Sequence, residues 1–340
     1  MKRVAIVGFG FMGRTHYNAW RRLRGAKVVA ICDSNLSQLS AEVKGNIGGV
    51  GELAEIDPRI KVYADFGEML SAGGIDIVDL TFPTPLHRGL SVAALESGCH
   101  VVCEKPMALA LKDCDEMIKC AVASGRKLMV AHCVRFFPEY AYLRELVVSG
   151  RYGKVLAADF ARFMAAPKWS PKGGSWLLDE SKSGGLYVDA HIHDSDYIVS
   201  LFGMPAAVES RCRRSERGYV DHLASFYDYP GMVVTSSSSF AASDSLVWDA
   251  SARVFFEKAS VYLGGAGKTG ALTVYPEGGK PFSPKLPAAS GYEAELKYFL
   301  DVVEGRRAET LLSAKDARES IRLVLAERKA AALKRKVALR

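Results

Sequence analysis

Near its start the chain reads Val4-Ala5-Ile6-Val7-Gly8-Phe9-Gly10-Phe11-Met12-Gly13, an apolar run that breaks into a turn with three glycines. Four successive apolar residues predict a short strand buried on both faces, and residues 15–23 can form a helix. A strand, a glycine turn and a helix in this order are typical of dinucleotide binding. Gly8 allows the tight turn, Gly10 lets the backbone approach a pyrophosphate, and Gly13 lets the helix pack closely on the strand. The predicted contacts in this turn also include Phe11 and Met12.

The next apolar run, residues 27–32, ends on Asp33. An acid about 20 residues beyond the last glycine is placed to accept hydrogen bonds from a ribose 2′-hydroxyl, and it would repel a 2′-phosphate. We therefore predict NAD, rather than NADP, as the cofactor. The alternative is that Asp33 only ends a strand or caps a helix.

Composition limits the other functions. The 340 residues are 49% hydrophobic and 24% charged, with a net charge of +7. The excess lies largely in residues 315–340, where nine Lys or Arg oppose three acids, and this favours a solvated helix and tail over nucleic-acid binding. Seven cysteines without a Cys-x-x-Cys pair predict no disulfide framework and a cytoplasmic protein. No apolar run approaches the roughly 20 residues of a membrane span.

The order of elements predicts two domains. Six strands alternate with helices up to residue 131, which predicts an α/β, doubly wound parallel sheet of the Rossmann type. From residue 150 strands follow one another with few helices, which predicts an antiparallel α+β domain. The expected boundaries are 1–130 for NAD binding and 131–340 for substrate binding and oligomerisation, and the final helix could pack back on the first domain.

Two clusters could carry chemistry. Glu104-Lys105-Pro106 follows a buried strand and is expected at the mouth of the sheet, where ligands of such folds bind. In the segment 183–196, α-helical spacing puts Asp189, His193 and Asp196 on one face and His191 on the other, so we expect no metal site there. A carboxylate one turn from a histidine is suited to acid–base catalysis. The alternatives are a solvated lysine and a histidine bonded for structural reasons only.

These features together carry a resemblance to a family. Along the chain they are Gly8-x-Gly10-x-x-Gly13, Thr81-Phe82-Pro83-Thr84-Pro85-Leu86-His87, Glu104-Lys105-Pro106 and Gly184-Gly185-x-x-x-Asp189-x-x-x-His193-x-x-Asp196. The chain resembles the Gfo/Idh/MocA superfamily (glucose-fructose oxidoreductase, inositol dehydrogenase and rhizopine catabolism) over essentially its whole length.

The resemblance implies that Lys105, Asp189 and His193 form the catalytic set. It implies that Thr81, Phe82, Pro83, His87, Glu104 and Lys105 line the NAD site. His193 would take a proton from a ring secondary alcohol of a sugar or cyclitol while hydride passes to the nicotinamide. Two departures are visible: the glycine run before Asp189 has two glycines, preceded by Ser183, and His191 occupies a position that is often small in relatives.

Three expectations concern substrate and partners. The loop 162–176 offers Arg162, Trp169 and Trp176 to a substrate, although the indoles could equally pack a lid. The resemblance also implies a homodimer or homotetramer that pairs through the second sheet. The alternatives to a dehydrogenase are a glycoside hydrolase that retains NAD and a regulatory protein that binds NAD and sugar without turnover.

Overall fold

The computed structural model describes residues 1–39, 55–167, 176–246, 248–265 and 270–339. They form two compact units, Met1–Phe136 with Ala289–Arg318, and Phe137–Ala288 with Glu319–Arg340. This division differs from the expected boundary at residue 130, because residues 131–136 and a late segment of the chain join the first unit. None of the described helices is long and apolar enough to cross a membrane.

The elements are numbered along the chain. The strands are β1 (Lys2–Val7), β2 (Ala26–Cys32), β3 (Lys61–Tyr63), β4 (Ile77–Leu80), β5 (His100–Glu104), β6 (Leu128–Ala131), β7 (Val155–Phe163), β8 (Ala207–Arg214), β9 (Val220–Tyr229), β10 (Met232–Ser239), β11 (Asp249–Phe256), β12 (Ala259–Leu263), β13 (Leu272–Pro276) and β14 (Val337–Ala338). The α-helices are α1 (Phe11–Trp20), α2 (Phe66–Ala72), α3 (His87–Glu96), α4 (Leu111–Ser124), α5 (Pro138–Ser149), α6 (Ile192–Phe202), α7 (Gly291–Val303) and α8 (Ala314–Leu333).

The first unit contains a parallel sheet with strand order β3-β2-β1-β4-β5-β6. Every neighbouring pair in it is parallel. The central strand β1 carries the apolar run 4–7, whose side chains are completely buried. The doubly wound sheet predicted from the sequence is thus confirmed. After Asp33 the chain forms a 3-10 turn at Leu36–Leu39.

Helix α7 explains why the late segment belongs with this sheet. Its residues Leu296, Phe299 and Leu300 are at most 1% exposed and share one apolar core with Trp20 of α1. Burial of several large apolar side chains at roughly 1.5–3 kcal/mol each stabilises this packing. Helix α8 is divided, with its residues up to Arg318 in the first unit and the rest in the second.

The second unit contains a sheet with strand order β13-β12-β11-β7-β10-β9-β8-β14. Its pairs are antiparallel except β7 with β10, which run parallel with Arg162 opposite Ser238. The mostly antiparallel sheet is as predicted. Burial alternates along β7, so that Ala158, Phe160 and Arg162 share the buried face.

Candidate active site

The glycine turn between β1 and α1 has the geometry that its sequence predicts. Gly8 has φ of +94°, a conformation that other residues rarely adopt. A Cβ atom on Gly13 would lie 2.0 Å from the Gly8 carbonyl oxygen, so only glycine allows α1 to pack this closely. A Cβ atom on Gly10 would meet nothing within 4 Å. The backbone at Gly10 is therefore open to a ligand. Phe11 is buried and Met12 half-buried at the start of α1.

Asp33 follows β2 directly and binds the same turn. Its Oδ2 accepts a hydrogen bond from the Phe9 amide at 2.7 Å, and its Oδ1 accepts one from the Asn35 amide at 2.8 Å. Each carboxylate oxygen can accept a further bond. Asp33 thus braces the glycine turn and keeps acceptor capacity for a ribose hydroxyl.

Thr81 connects the end of β4 to the turn. Its amide donates to the Val7 carbonyl at 2.8 Å, and its hydroxyl donates to the Gly8 carbonyl at 2.5 Å. Phe82 is half-buried and Pro83 is exposed beside it. The predicted cofactor residues of β1, β2 and β4 therefore meet at one edge of the sheet, at the carboxyl ends of the strands.

His87 lies beneath this edge. It is 1% exposed, and its two ring nitrogens lie 2.7 Å from the Pro106 carbonyl oxygen and 2.7 Å from the Phe82 carbonyl oxygen. Burial lowers the pKa of His87, although both carbonyls favour the protonated form. Both nitrogens are used within the protein, so His87 supports the two loops that carry Phe82 and Lys105.

Glu104 and Lys105 lie at the end of β5. Glu104 is buried, Lys105 is half-buried, and the Lys105 amide donates to Glu104 Oε2 at 3.0 Å. The Lys105–Pro106 peptide bond is cis. The side chain of Glu104 therefore helps to fix the backbone from which the Lys105 side chain extends.

A buried charged cluster behind Glu104 was missed by sequence reasoning. His16 of α1 has Nδ1 at 2.9 Å from Asp79 Oδ2 and Nε2 at 3.2 Å from Glu104 Oε1. Trp20 Nε1 donates to Asp79 at 2.6 Å. Burial opposes a charge on the ring, but Asp79 and Glu104 outweigh it and raise the pKa of His16 well above its ordinary value. An acid inside a strand as apolar as β4 was the available signal, since such a group requires a buried partner.

Glu295 of α7 completes this cluster. Its carboxyl group is completely buried. Burial raises the pKa of Glu295 well above its usual range, against the opposite influence of His16, and the nearby Glu104 and Asp79 add to the rise. The two carboxylates thus favour the charged form of His16, and burial favours the protonated form of Glu295. His16 holds the carboxylate that precedes Lys105.

The second cluster lies in the other unit. Residues Tyr187–His191 form a π-helical turn that continues into α6, where a uniform α-helix was expected. Insertions of this kind are frequent at functional sites. Between residues 183 and 198 every side chain is buried except Asp189 and His193, which are half-buried. Asp196, expected on the same face as those two, is buried and accepts a hydrogen bond from Ser320 at 2.7 Å.

The candidate substrate residues are placed differently from one another. Arg162 is 3% exposed and forms a bidentate pair with Asp194, at 2.9 and 3.0 Å. Its guanidinium also lies 5.6 Å from the centre of the Trp248 ring. Trp176 is 38% exposed, and Trp169 lies outside the described residues. Arg162 is thus engaged within the protein, and Trp176 is accessible. Lys105 belongs to the first unit and Asp189 and His193 to the second.

The comparisons with known proteins agree with this architecture. Residues 2–132 match a family model described as "Oxidoreductase family, NAD-binding Rossmann fold", and residues 140–262 match the GFO/IDH/MocA C-terminal domain. The open Gly10 backbone, the positive φ of Gly8 and the carboxylate of Asp33 fit NAD.

Individual relatives add detail. The chain is 33% identical to the 2,7-anhydro-N-acetylneuraminate hydratase of Mediterraneibacter gnavus over 60% of this chain and 50% of that protein. It is 33% identical to the D-glucoside 3-dehydrogenase of Escherichia coli over 60% of this chain and 55% of that protein. The chain thus spans about half the length of the curated relatives it matches.

A solved structure supports the fold over the whole chain. The aldose-aldose oxidoreductase of Caulobacter crescentus matches with a TM-score of 0.85 at 23% identity, covering 99% of both chains. The two family matches together extend over about three quarters of the sequence. With its six-stranded parallel sheet, its glycine turn and its second sheet, the chain belongs to the GFO/IDH/MocA family of oxidoreductases.

Proposed function

We propose that this protein is an NAD-dependent dehydrogenase that oxidises a secondary alcohol of a sugar, cyclitol or related polyol. One observation carries the assignment of the catalytic groups. In an otherwise buried segment of sixteen residues, 183–198, only an acid and a histidine, Asp189 and His193, are partly exposed. The relatives named for glucoside and inositol dehydrogenation support the substrate class.

The residues have distinct roles in this proposal. His193 accepts the proton of the substrate hydroxyl, and Asp189 orients the imidazole and favours its protonated form. Lys105 polarises the alcohol oxygen. NAD, when bound, supplies the hydride acceptor. Gly8, Gly10 and Gly13 hold its pyrophosphate, and Asp33 accepts the ribose hydroxyls.

The test is NADH formation, followed by absorbance, with NAD and a panel of sugars, inositols and sugar acids. His193→Ala and Lys105→Ala should each lose activity by about 100-fold or more, as expected for loss of a general base or a polarising group, while NAD still binds. Lys112→Ala is the matched control, because Lys112 is exposed on α4. Full activity in either of the first two variants would refute the assigned roles.

A second candidate is a reaction without net oxidation, in which NAD is retained through the cycle. This candidate is favoured because one of the relatives is named a hydratase. Such an enzyme consumes glycoside or anhydro-sugar without releasing NADH and keeps its cofactor through dialysis. Binding of NAD and ligand without any turnover would instead indicate a regulatory protein.

We also propose a homodimer or homotetramer that forms through the outer face of the second sheet. Phe226, Val233, Tyr262 and Tyr275 are 41–62% exposed. Strand register puts them on one face. Apolar area of this kind is typical of an interface. Phe226→Asp should reduce the mass measured by light scattering to that of a monomer.

The cytoplasmic location stays a prediction. All seven cysteines lie in described segments, and none of them forms a disulfide.

A further inference from the structure

His191 lies on the buried side of the turn that carries Asp189. Its ring is 0% exposed, with Nδ1 at 2.8 Å from the Ser238 hydroxyl and Nε2 at 3.3 Å from Glu327 Oε1. Ser238 belongs to β10 and Glu327 to α8. The imidazole is thus held from two elements that lie far from it in sequence.

Glu327 gathers further donors around its carboxylate. Tyr227 donates its hydroxyl to Oε1 at 2.6 Å, and the Ser195 hydroxyl lies 3.2 Å from both carboxylate oxygens. Burial, and next the Glu327 charge, raise the pKa of Tyr227 well above its ordinary value, so the hydroxyl stays a donor. A buried carboxylate is costly unless its hydrogen bonds are made. These donors therefore depend on the carboxyl group of Glu327 being in place.

Other contacts hold the same segment from its inner side. Arg162 of β7 pairs with Asp194, and Ser320 of α8 binds Asp196. Ser238 and Arg162 are opposite each other in the parallel pair of β10 and β7. Of the residues in segment 183–198, only Asp189 and His193 remain partly exposed.

We propose that Glu327 is a positioning residue for the reaction proposed above. Through His191 and Ser195 it fixes the rotation of the π-helical turn and the first turn of α6, and hence the direction in which Asp189 and His193 point. The proposal rests on that proposed function. Glu327 is 0% exposed, so it acts through its neighbours and does not contact substrate.

The test is Glu327→Gln, which keeps the size of the side chain. An amide has one acceptor oxygen where the carboxylate has two, so it cannot receive all three donors. We expect kcat to fall by about ten-fold to 100-fold, the scale of a misplaced catalytic group, with NAD affinity unchanged. Glu319→Gln is the matched control on the same helix, because Glu319 is one-third exposed and pairs with Arg322. It should leave kcat within two-fold, on the order of ordinary surface substitutions.

A second readout does not depend on turnover. In protein labelled with ¹³C at histidine Cε1, the His193 signal is identified by its loss in His193→Ala. Glu327→Gln should shift this signal and Glu319→Gln should not. A normal kcat together with an unmoved His193 signal in Glu327→Gln overturns the proposal. If the wild-type protein turns over nothing on the panel, the proposed function fails, and the His193 signal alone decides the positioning role. If Glu327→Gln does not fold, Ser195→Ala and Tyr227→Phe are measured by the same two readouts.

Discussion

Two single-methyl substitutions in the glycine turn should separate cofactor binding from folding. In Gly13→Ala the new Cβ would lie 2.0 Å from the Gly8 carbonyl oxygen, so α1 or the turn must move by about 1 Å to reach even a tight contact. Overpacking of this kind costs about 1–3 kcal/mol of unfolding free energy. In Gly10→Ala the methyl group meets nothing within 4 Å, and the φ of −76° suits alanine. Its unfolding free energy should change by less than about 0.5 kcal/mol.

The two variants also separate the affinity for NAD from the stability of the fold. The methyl group of Gly10→Ala fills the space that a pyrophosphate needs, and we expect the Kd for NAD to rise by about ten-fold or more, equivalent to about 1.4 kcal/mol. Calorimetry gives the Kd, and urea unfolding gives the stability. An unchanged Kd in Gly10→Ala would show that the pyrophosphate lies elsewhere. A normal stability in Gly13→Ala would contradict the close packing of α1.

Three further outcomes follow from the buried charges. Asp33→Ser removes a negative charge from the ribose site. It should raise the ratio of kcat/KM for NADP to kcat/KM for NAD by about ten-fold, equivalent to about 1.4 kcal/mol. Steady-state kinetics with both cofactors measure this ratio, and an unchanged ratio contradicts the role of Asp33. The folded-state pKa of Glu295 is raised above 4.5, so wild-type stability should fall by about 1.4 kcal/mol per pH unit as the pH rises from about 4.5 towards that pKa. Glu295→Gln should lack this loss of stability. Thermal melts at a series of pH values test it, and the same dependence of stability on pH in the wild type and the variant would disprove the prediction. Arg162→Ala leaves Asp194 buried without its partner and should cost about 3–5 kcal/mol of stability. A raised KM with an unchanged melting temperature would instead make Arg162 a substrate residue.

Local patterns in the sequence were enough to predict the first sheet. Strands β1, β2 and β5 each contain a run of three or more apolar residues, because a parallel strand covered on both faces has little solvent-facing surface. The glycine turn was equally predictable, since the φ of Gly8 and the contact at Gly13 each demand a residue without a side chain. The alternation of Gly, Pro and polar turns with short strands likewise predicted the second sheet.

Contacts between distant segments were not predictable in this way. The pair His16 and Asp79 joins residues 63 apart, and a single sequence gives no register between α1 and β4. The membership of α7 in the first unit depends on which core its apolar face meets. Helix α1 begins at Phe11, not near residue 15, because bulky apolar residues directly after a glycine can start a helix as well as extend a turn.

The π-helical turn shows the same limit at the site itself. Regular spacing placed Asp189, His193 and Asp196 on one face, whereas one turn with wider hydrogen bonding rotates the later residues relative to the earlier ones. Asp196 therefore turns inward to Ser320. The helical spacing predicted all three on one face, whereas Asp189 and His193 are half-buried and Asp196 is buried.

The bond between His191 and Glu327 has a consequence for the order in which the protein is made. The two residues are 136 positions apart, and contacts of such long range close late because the intervening chain must be ordered first. During synthesis the turn with Asp189 emerges long before α8 exists. At that stage His191 and Ser195 still lack the carboxyl group of Glu327, to which they bind in the folded protein. Strands β7 to β13 of the second sheet can assemble at that stage, but the site cannot be completed until the last helix has been translated. A ribosome-bound chain stopped before residue 327 would therefore carry every proposed catalytic residue and remain inactive.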